Sequence, residues 1–104
     1  MIHLGTQYYR PPFPNDRYWE DDIRRIAESG LNTLQLWVVW AWVEAKPGTY
    51  RFDDYDRLVA LAESHGLEVV LSTIAAIHPY WIHREVPGSE MVDNFGHKVI
   101  SSNR

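Results

Sequence analysis

The sequence predicts an α/β fold built on a parallel sheet, and three observations predict it. Two stretches, 31–39 and 67–74, are nearly continuous in Leu, Val, Ile and Trp, as strands covered on both faces are. Each follows an amphipathic helical segment that stops at a glycine, so that "ESGLNTLQL" from Glu28 is echoed by "ESHGLEVVL" from Glu63. The step from Gly30 to Gly66 is the length of one βα unit, roughly 30 or more residues. Strand–helix–strand–helix–strand with apolar strands implies parallel pairing through right-handed crossovers. A full (β/α)8 TIM barrel takes about 250 residues, and this chain has 104. A free three-stranded parallel sheet leaves two open edges. Residues 1–104 are therefore expected to be the first three βα units of a partial TIM barrel, a fragment of a larger domain. A small self-contained α/β unit is the alternative.

The elements follow in order. Residues 2–8 read as the first strand, halted by Arg10, Pro11 and Pro12, since proline cannot donate to a ladder. Asn15 and Asp16 suit a helix N-cap. Glu20, Asp21 and Asp22 suit the positive end of the helix dipole. Trp19, Ile23, Ile26, Ala27 and Gly30 share one helical face, and Gly30 is a natural residue just past the helix end. After the strand at 31–39, Lys46-Pro47-Gly48 signals a turn. Asp53 or Asp54 is expected to cap a second helix that turns Tyr55, Leu58, Val59 and Ala62 inward and ends at Gly66. Beyond the strand at 67–74, His78-Pro79, Pro87-Gly88 and Asn94-Phe95-Gly96 break the pattern. Residues 75–104 read as a long loop with short helical turns at most.

Composition narrows the functional classes. The formal net charge is −4, and Arg17, Arg24 and Arg25 are interleaved with Glu20, Asp21 and Asp22, so no basic stripe forms and no nucleic-acid partner is expected. The absence of cysteine excludes disulfides and thiolate metal sites. The tryptophan-rich run 34–48 is interrupted by Gln35 and Glu44 and falls short of the about 20 apolar residues that span a bilayer, so no membrane partner is expected. The start MIHLGTQYYR has neither a basic region nor an apolar stretch of a signal peptide. The expected location is cytoplasmic.

In parallel α/β proteins the working surface lies past the carboxyl ends of the strands. Here these ends carry Tyr8-Tyr9-Arg10, then 37–44, then 75–81, all rich in aromatics. Aromatic faces stack on sugar rings, and an aromatic wall with a few polar groups makes a ligand pocket. The expectation is that Trp37 is buried in the strand while Trp40 and Trp42 lie in the loop above it and face a ligand. The competing reading packs all three into the core and crossovers. Glu44 is the one acid in the loop after the second strand and could orient a ligand, but no second acid stands out as its partner. Five histidines are scattered. His65 suits a helix C-terminus, and His78 and His83 lack a helical metal spacing, so no metal site and no cofactor are expected. Serine-nucleophile patterns and phosphate-cradling glycine loops are absent.

Taken together, "YYRPPFPNDRYWEDDIRRIAESGLNTLQL", "WAWVEAKPGTYRFDDYDRLVALAESHGLEVVLST", "HPYW" and "VDNFGHK" resemble the start of family-42 glycoside hydrolases, β-galactosidases on a TIM barrel. The similarity runs from about Leu4 to Arg104. It implies a carbohydrate substrate and a retaining mechanism with two glutamates about 5–5.5 Å apart. In the family these follow the fourth and seventh strands, so none of the 104 residues is assigned a catalytic role and the chain alone is expected to be inactive. The resemblance places two substrate contacts here. A family arginine in the second strand falls on Gln35, a departure that keeps hydrogen bonding but loses the charge and the bidentate fork. Another family arginine falls on Arg104. With Trp40 and Trp42, these make the candidate substrate-binding set. Unpaired edges at 2–8 and 67–74 add an expectation of self-association. A non-catalytic carbohydrate-binding or structural half-barrel and a different TIM-barrel glycosidase family are the alternatives.

Overall fold

β-Branched and leucine residues put the strongest strand at Thr33–Val39, and this strand (β2) is the middle of a three-stranded sheet. The computed structural model describes residues 2–8 and 13–99. Strand β1 (Gly5–Tyr8) runs parallel to β2 in the register Gly5↔Thr33 and Gln7↔Gln35, and β3 (Glu68–Ile74) lies on the other side of β2. The first strand is shorter than expected. Residues 2–4 are held instead by Asn32, whose side chain accepts from the Leu4 amide at 2.9 Å and donates to the Ile2 carbonyl at 2.9 Å. Gly5 is required by close approach, because a Cβ there would sit 2.8 Å from the Thr33 carbonyl oxygen. Tyr9, Arg10, Pro11 and Pro12, expected to stop the strand, lie outside the described residues.

The connections are helical. Asn15 caps a short 3-10 turn (Asp16–Tyr18), its side chain accepting from the Arg17 amide at 3.1 Å, and helix α1 (Trp19–Glu28) follows. The three first-turn acids stand where the helix dipole favours them. Helix α3 (Asp53–Ser64) differs from expectation. Phe52 is its N-cap and makes no side-chain cap bond, while Asp53 and Asp54 lie within the first turn. They stabilise the helix start through the dipole and not by capping. Gly30 and Gly66 both follow helix ends in positive φ, at 95° and 75°.

Alternation along β2 decides the core. Leu34 and Leu36 point to the helices and meet Tyr8, Trp19, Ile23, Leu58, Ala62 and Leu67 in one apolar cluster. Ile23, Leu34, Leu36 and Leu58 are fully enclosed. Burying each stabilises the fold by roughly 1.5–3 kcal/mol. The Tyr8 hydroxyl donates to Asp22 Oδ2 at 2.6 Å. Burial, then this bond, pushes the Tyr8 phenol well above its ordinary range. On the opposite face, Trp37 is half-buried and not buried as expected; its Nε1 donates to Gln7 Oε1 at 2.8 Å. Gln35 on that face donates to Ser72 Oγ at 2.8 Å. These are polar links between neighbouring strands. β3 keeps the open edge expected at 67–74. It is an edge strand, and Val70 and Leu71 are 48% and 56% exposed.

The chain divides into two units. The first holds residues 1–38 and 52–73 and contains the apolar cluster just described. The second holds 39–51 and 74–104, the segments that leave β2 and β3. Within it Trp40–Val43 forms a helical turn (α2), not the loop expected for Trp40 and Trp42. Lys46 and Thr49 pair across the predicted turn. Residues 75–99 carry a short helix α4 (Ile82–Glu85) and an antiparallel hairpin of β4 (Met91–Val92) with β5 (Lys98–Val99). The hairpin, unexpected from the sequence, is closed by Asp93, whose Oδ1 accepts from the Phe95 and His97 amides at 2.9 and 2.8 Å.

Candidate functional site

The second unit is organised around Glu44, a buried acid. One turn of α2 brings its amide to the Trp40 carbonyl at 2.9 Å and its Oε1 to Trp40 Nε1, which donates at 2.9 Å. Oε2 accepts from the Gly48 amide at 2.9 Å, fixing the Lys46–Thr49 turn. The Glu44 carbonyl accepts from Trp81 Nε1 at 2.8 Å. One residue therefore grips two indoles, one following β2 and one following β3. The Trp40 indole, the Gly48 amide and the Tyr50 side chain hold the Glu44 carboxyl below its ordinary value, against an opposing effect of burial. The carboxylate is ionised, and both oxygens are engaged by the protein. The expectation that Glu44 itself could orient a ligand gives way to a different role: it orients the rings.

Those rings form an edge-to-face pair, with Trp40 and Trp81 centroids 6.3 Å apart and planes at 88°. This is the geometry that the aromatic quadrupole favours. The Ala41 amide donates to the Ile77 carbonyl at 3.0 Å, tying the two segments by backbone as well. Trp42 lies under the Arg51 guanidinium, 5.2 Å from ring centroid to Cζ. Trp40, Trp42 and Trp81 are all half-buried. Half-open indoles held in fixed orientation suit stacking against a flat apolar ligand face.

The candidate residues fare unequally. Trp40 is brought against Trp81, which sequence reading placed only within an aromatic strand end; the cue was its place in "HPYW". Trp42 is placed by Arg51. Gln35 lies in mid-strand, half-buried and engaged with Ser72. Arg104 lies outside the described residues, as do Tyr9 and Arg10. Tyr8, expected at the working end of β1, is instead buried against α1 and its hydroxyl is committed to Asp22. His78 and His83 meet ring to ring, which their five-residue spacing did not foretell. Among the described residues no group of three His, Asp or Glu side chains is arranged to hold a metal ion. No helix of the described residues is long and apolar enough to cross a membrane.

Comparison with known proteins agrees with this architecture. The family described as Beta-galactosidase, glycoside hydrolase family 42, matches residues 8–104. A β-galactosidase of Thermus thermophilus is 34% identical over 96 residues, covering 91% of this chain and 15% of the relative. An exo-β-D-glucosaminidase of Pyrococcus horikoshii is 30% identical over 95 residues, covering 84% of this chain and 12% of the relative. The solved structure of a β-galactosidase from the haloarchaeon Halorubrum lacusprofundi superimposes with a TM-score of 0.82 at 28% identity, over 99% of this chain and 15% of that one. The chain thus spans about one seventh of the length of such relatives.

Proposed function

Because the chain belongs to the Beta-galactosidase family, glycoside hydrolase family 42, we propose that it forms the first three βα units of a (β/α)8 barrel in a retaining, β-galactosidase-like glycoside hydrolase. That enzyme cleaves terminal β-glycosides of oligosaccharides. The observation that carries the reading is the family match over residues 8–104. The oriented indoles of Trp40 and Trp81, with Trp42 beside Arg51, support it as a wall on which a sugar ring stacks. Gln35 and Arg104 complete the proposed substrate contacts. The chemistry requires two carboxyl groups about 5–5.5 Å apart, and no residue of this chain is assigned to that pair. The chain by itself is inactive in this reading, acts in the cytoplasm with its parent, and uses no cofactor for hydrolysis.

A second reading concerns the sugar. Gln35 presents an amide already bonded to Ser72, where the family resemblance calls for a charged, forked guanidinium. Together with the similarity to a protein named exo-β-D-glucosaminidase, this favours a terminal sugar other than galactose. A chimera tests both readings, with residues 1–104 replacing the matched segment of the Thermus β-galactosidase. Hydrolysis of aryl β-galactosides that rises when Gln35 is changed to Arg supports the galactosidase reading. Hydrolysis of aryl β-glucosaminides in preference supports the second. A folded chimera without activity on any aryl glycoside overturns the assignment.

The open edge of β3, with Val70 and Leu71 exposed, further supports self-association of the chain when isolated. Sedimentation of the purified chain should give dimers or larger species. A monodisperse monomer with a sharp unfolding transition would instead identify a complete small domain.

A further inference from the structure

We propose that His78 and His83 form a two-imidazole site for one divalent transition-metal ion of the zinc or copper class. Their Nε2 atoms face each other at 3.0 Å, with ring centroids 4.9 Å apart and planes at 85°. A metal bound to two imidazoles at about 2.0–2.1 Å, with an angle between bonds of roughly 90–110°, holds the two nitrogens about 2.9–3.4 Å apart. The observed separation falls in that range, so an ion binding both nitrogens needs the rings to tilt toward it but not to change their spacing. His83 is also oriented from behind, its Nδ1 lying 2.8 Å from Ser89 Oγ. When Nδ1–H donates to that hydroxyl, the lone pair of Nε2 faces His78. This is the outer hydrogen bond that metal-binding histidines characteristically make.

The charged neighbours are of both signs. Glu90 follows Ser89. Its Oε1 lies 3.7 Å from Lys98 Nζ, and its side chain is 26% exposed. Arg84 and Glu85, the charged neighbours on α4, are exposed. Two nitrogen donors select zinc, nickel or copper over magnesium and calcium, which take oxygen. Water fills the remaining positions, making an open and exchangeable site. Spacing alone argues against a metal here, because two residues five apart in a loop lack a helical ligand spacing. The turn through buried Pro79 into α4 is what brings the rings together. Bound metal would tie residue 78 to α4 and fix the intervening backbone, including Trp81.

The test is a titration of the 104-residue chain with zinc sulfate, followed by calorimetry and by nitrogen-resolved NMR of the histidine rings. The expected result is one zinc per chain, with ring signals of His78 and His83 shifting and those of His3, His65 and His97 unmoved. His78→Ala should weaken binding at least about tenfold, and Ser89→Ala about tenfold, the scale on which outer-shell partners act. A variant with alanine at His3, His65 and His97 should bind as the parent does, and magnesium should not compete. Loss of binding in that triple variant, or equal affinity in His78→Ala, overturns the proposal. If His78→Ala does not fold, the ring shifts of the unsubstituted chain decide: His78 and His83 unmoved at millimolar zinc refutes the site.

Discussion

The two units of this chain are held together by different physics. In the first, Ile23, Leu34, Leu36, Leu58 and Ala62 are enclosed almost completely, and apolar burial supplies the stability. In the second, Val39, Val43 and Pro79 are the buried apolar residues among those described, and the organising contacts are hydrogen bonds that converge on Glu44. Burial is non-directional. It can hold a strand under a helix, but a ring held by burial alone has its faces covered and unavailable. Hydrogen bonds from two indole N–H groups fix ring orientation by the edge and leave a face open. The segments that leave β2 and β3 use the second strategy, so their order depends on direction where that of the apolar cluster does not.

The largest effect should come from the first unit. Leu36→Ala empties a site that is 1% exposed, and such truncations cost about 2–5 kcal/mol. Urea unfolding should show this loss. If the contrast between the units holds, Val43→Ala in the second should cost less, because less of that unit's order rests on burial. Equal losses at the two positions would break the comparison.

How much could be read beforehand follows the same division. The elements of the first unit were legible because their signals are periodic. Trp19, Ile23, Ile26 and Ala27 repeat at helical spacing, glycines close both helices, and the apolar runs mark β2 and β3. Tyr8 was misplaced because a strand of four residues can turn its last side chain to either face, and only pairing with β2 settles that this one faces the helices. Trp37 was read as buried because an apolar run shows no alternation; its face of the sheet is polar, carrying Gln7, Gln35 and Ser72. The second unit was largely illegible. Its order comes from contacts between residues far apart in sequence, such as Glu44 with Trp81, and no local pattern announces them. The hairpin of β4 and β5 was missed because two-residue strands leave almost no periodic trace.

A smaller effect sharpens the comparison from the apolar side. Tyr8→Phe keeps the ring in the core and removes only the bond to Asp22, which should cost roughly 1–2 kcal/mol, since a net hydrogen bond is worth little even when a charge accepts it. The sign with pH follows from the direction of the shift. The phenol is raised above its ordinary value of 10.0 in the folded chain, so its contribution is complete below that value and is lost as the pH rises above it, where the unfolded chain ionises first. The alkaline limb of the stability curve should flatten in Tyr8→Phe. An unchanged limb would mean that other groups set it.

The smallest effect in stability, and the most local, should be at Glu44. Its carboxyl is lowered from an ordinary 4.5 by the Trp40 indole, the Gly48 amide and the Tyr50 side chain. A lowered folded value means that the contribution is present above about pH 4.5 and is lost as the pH falls through the lower folded value, because protonation then removes acceptor capacity that the folded state uses. Glu44 is the one buried carboxyl among the described residues, so acid should loosen the second unit first. The indole N–H signals report this directly. Trp40 donates to the carboxylate, Trp81 to the Glu44 backbone carbonyl, and Trp19 to the Pro14 carbonyl in the first unit at 2.9 Å. On acidification the Trp40 signal should move most, Trp81 less and Trp19 least. Glu44→Gln should remove the titration of the Trp40 signal altogether, since an amide does not ionise, and should leave one of the two carboxylate bonds unmade at every pH, because the amide nitrogen cannot accept. A Trp40 signal that still titrates in Glu44→Gln would show that the indole answers to some other group, and the account of the second unit as a cluster centred on this one acid would fail.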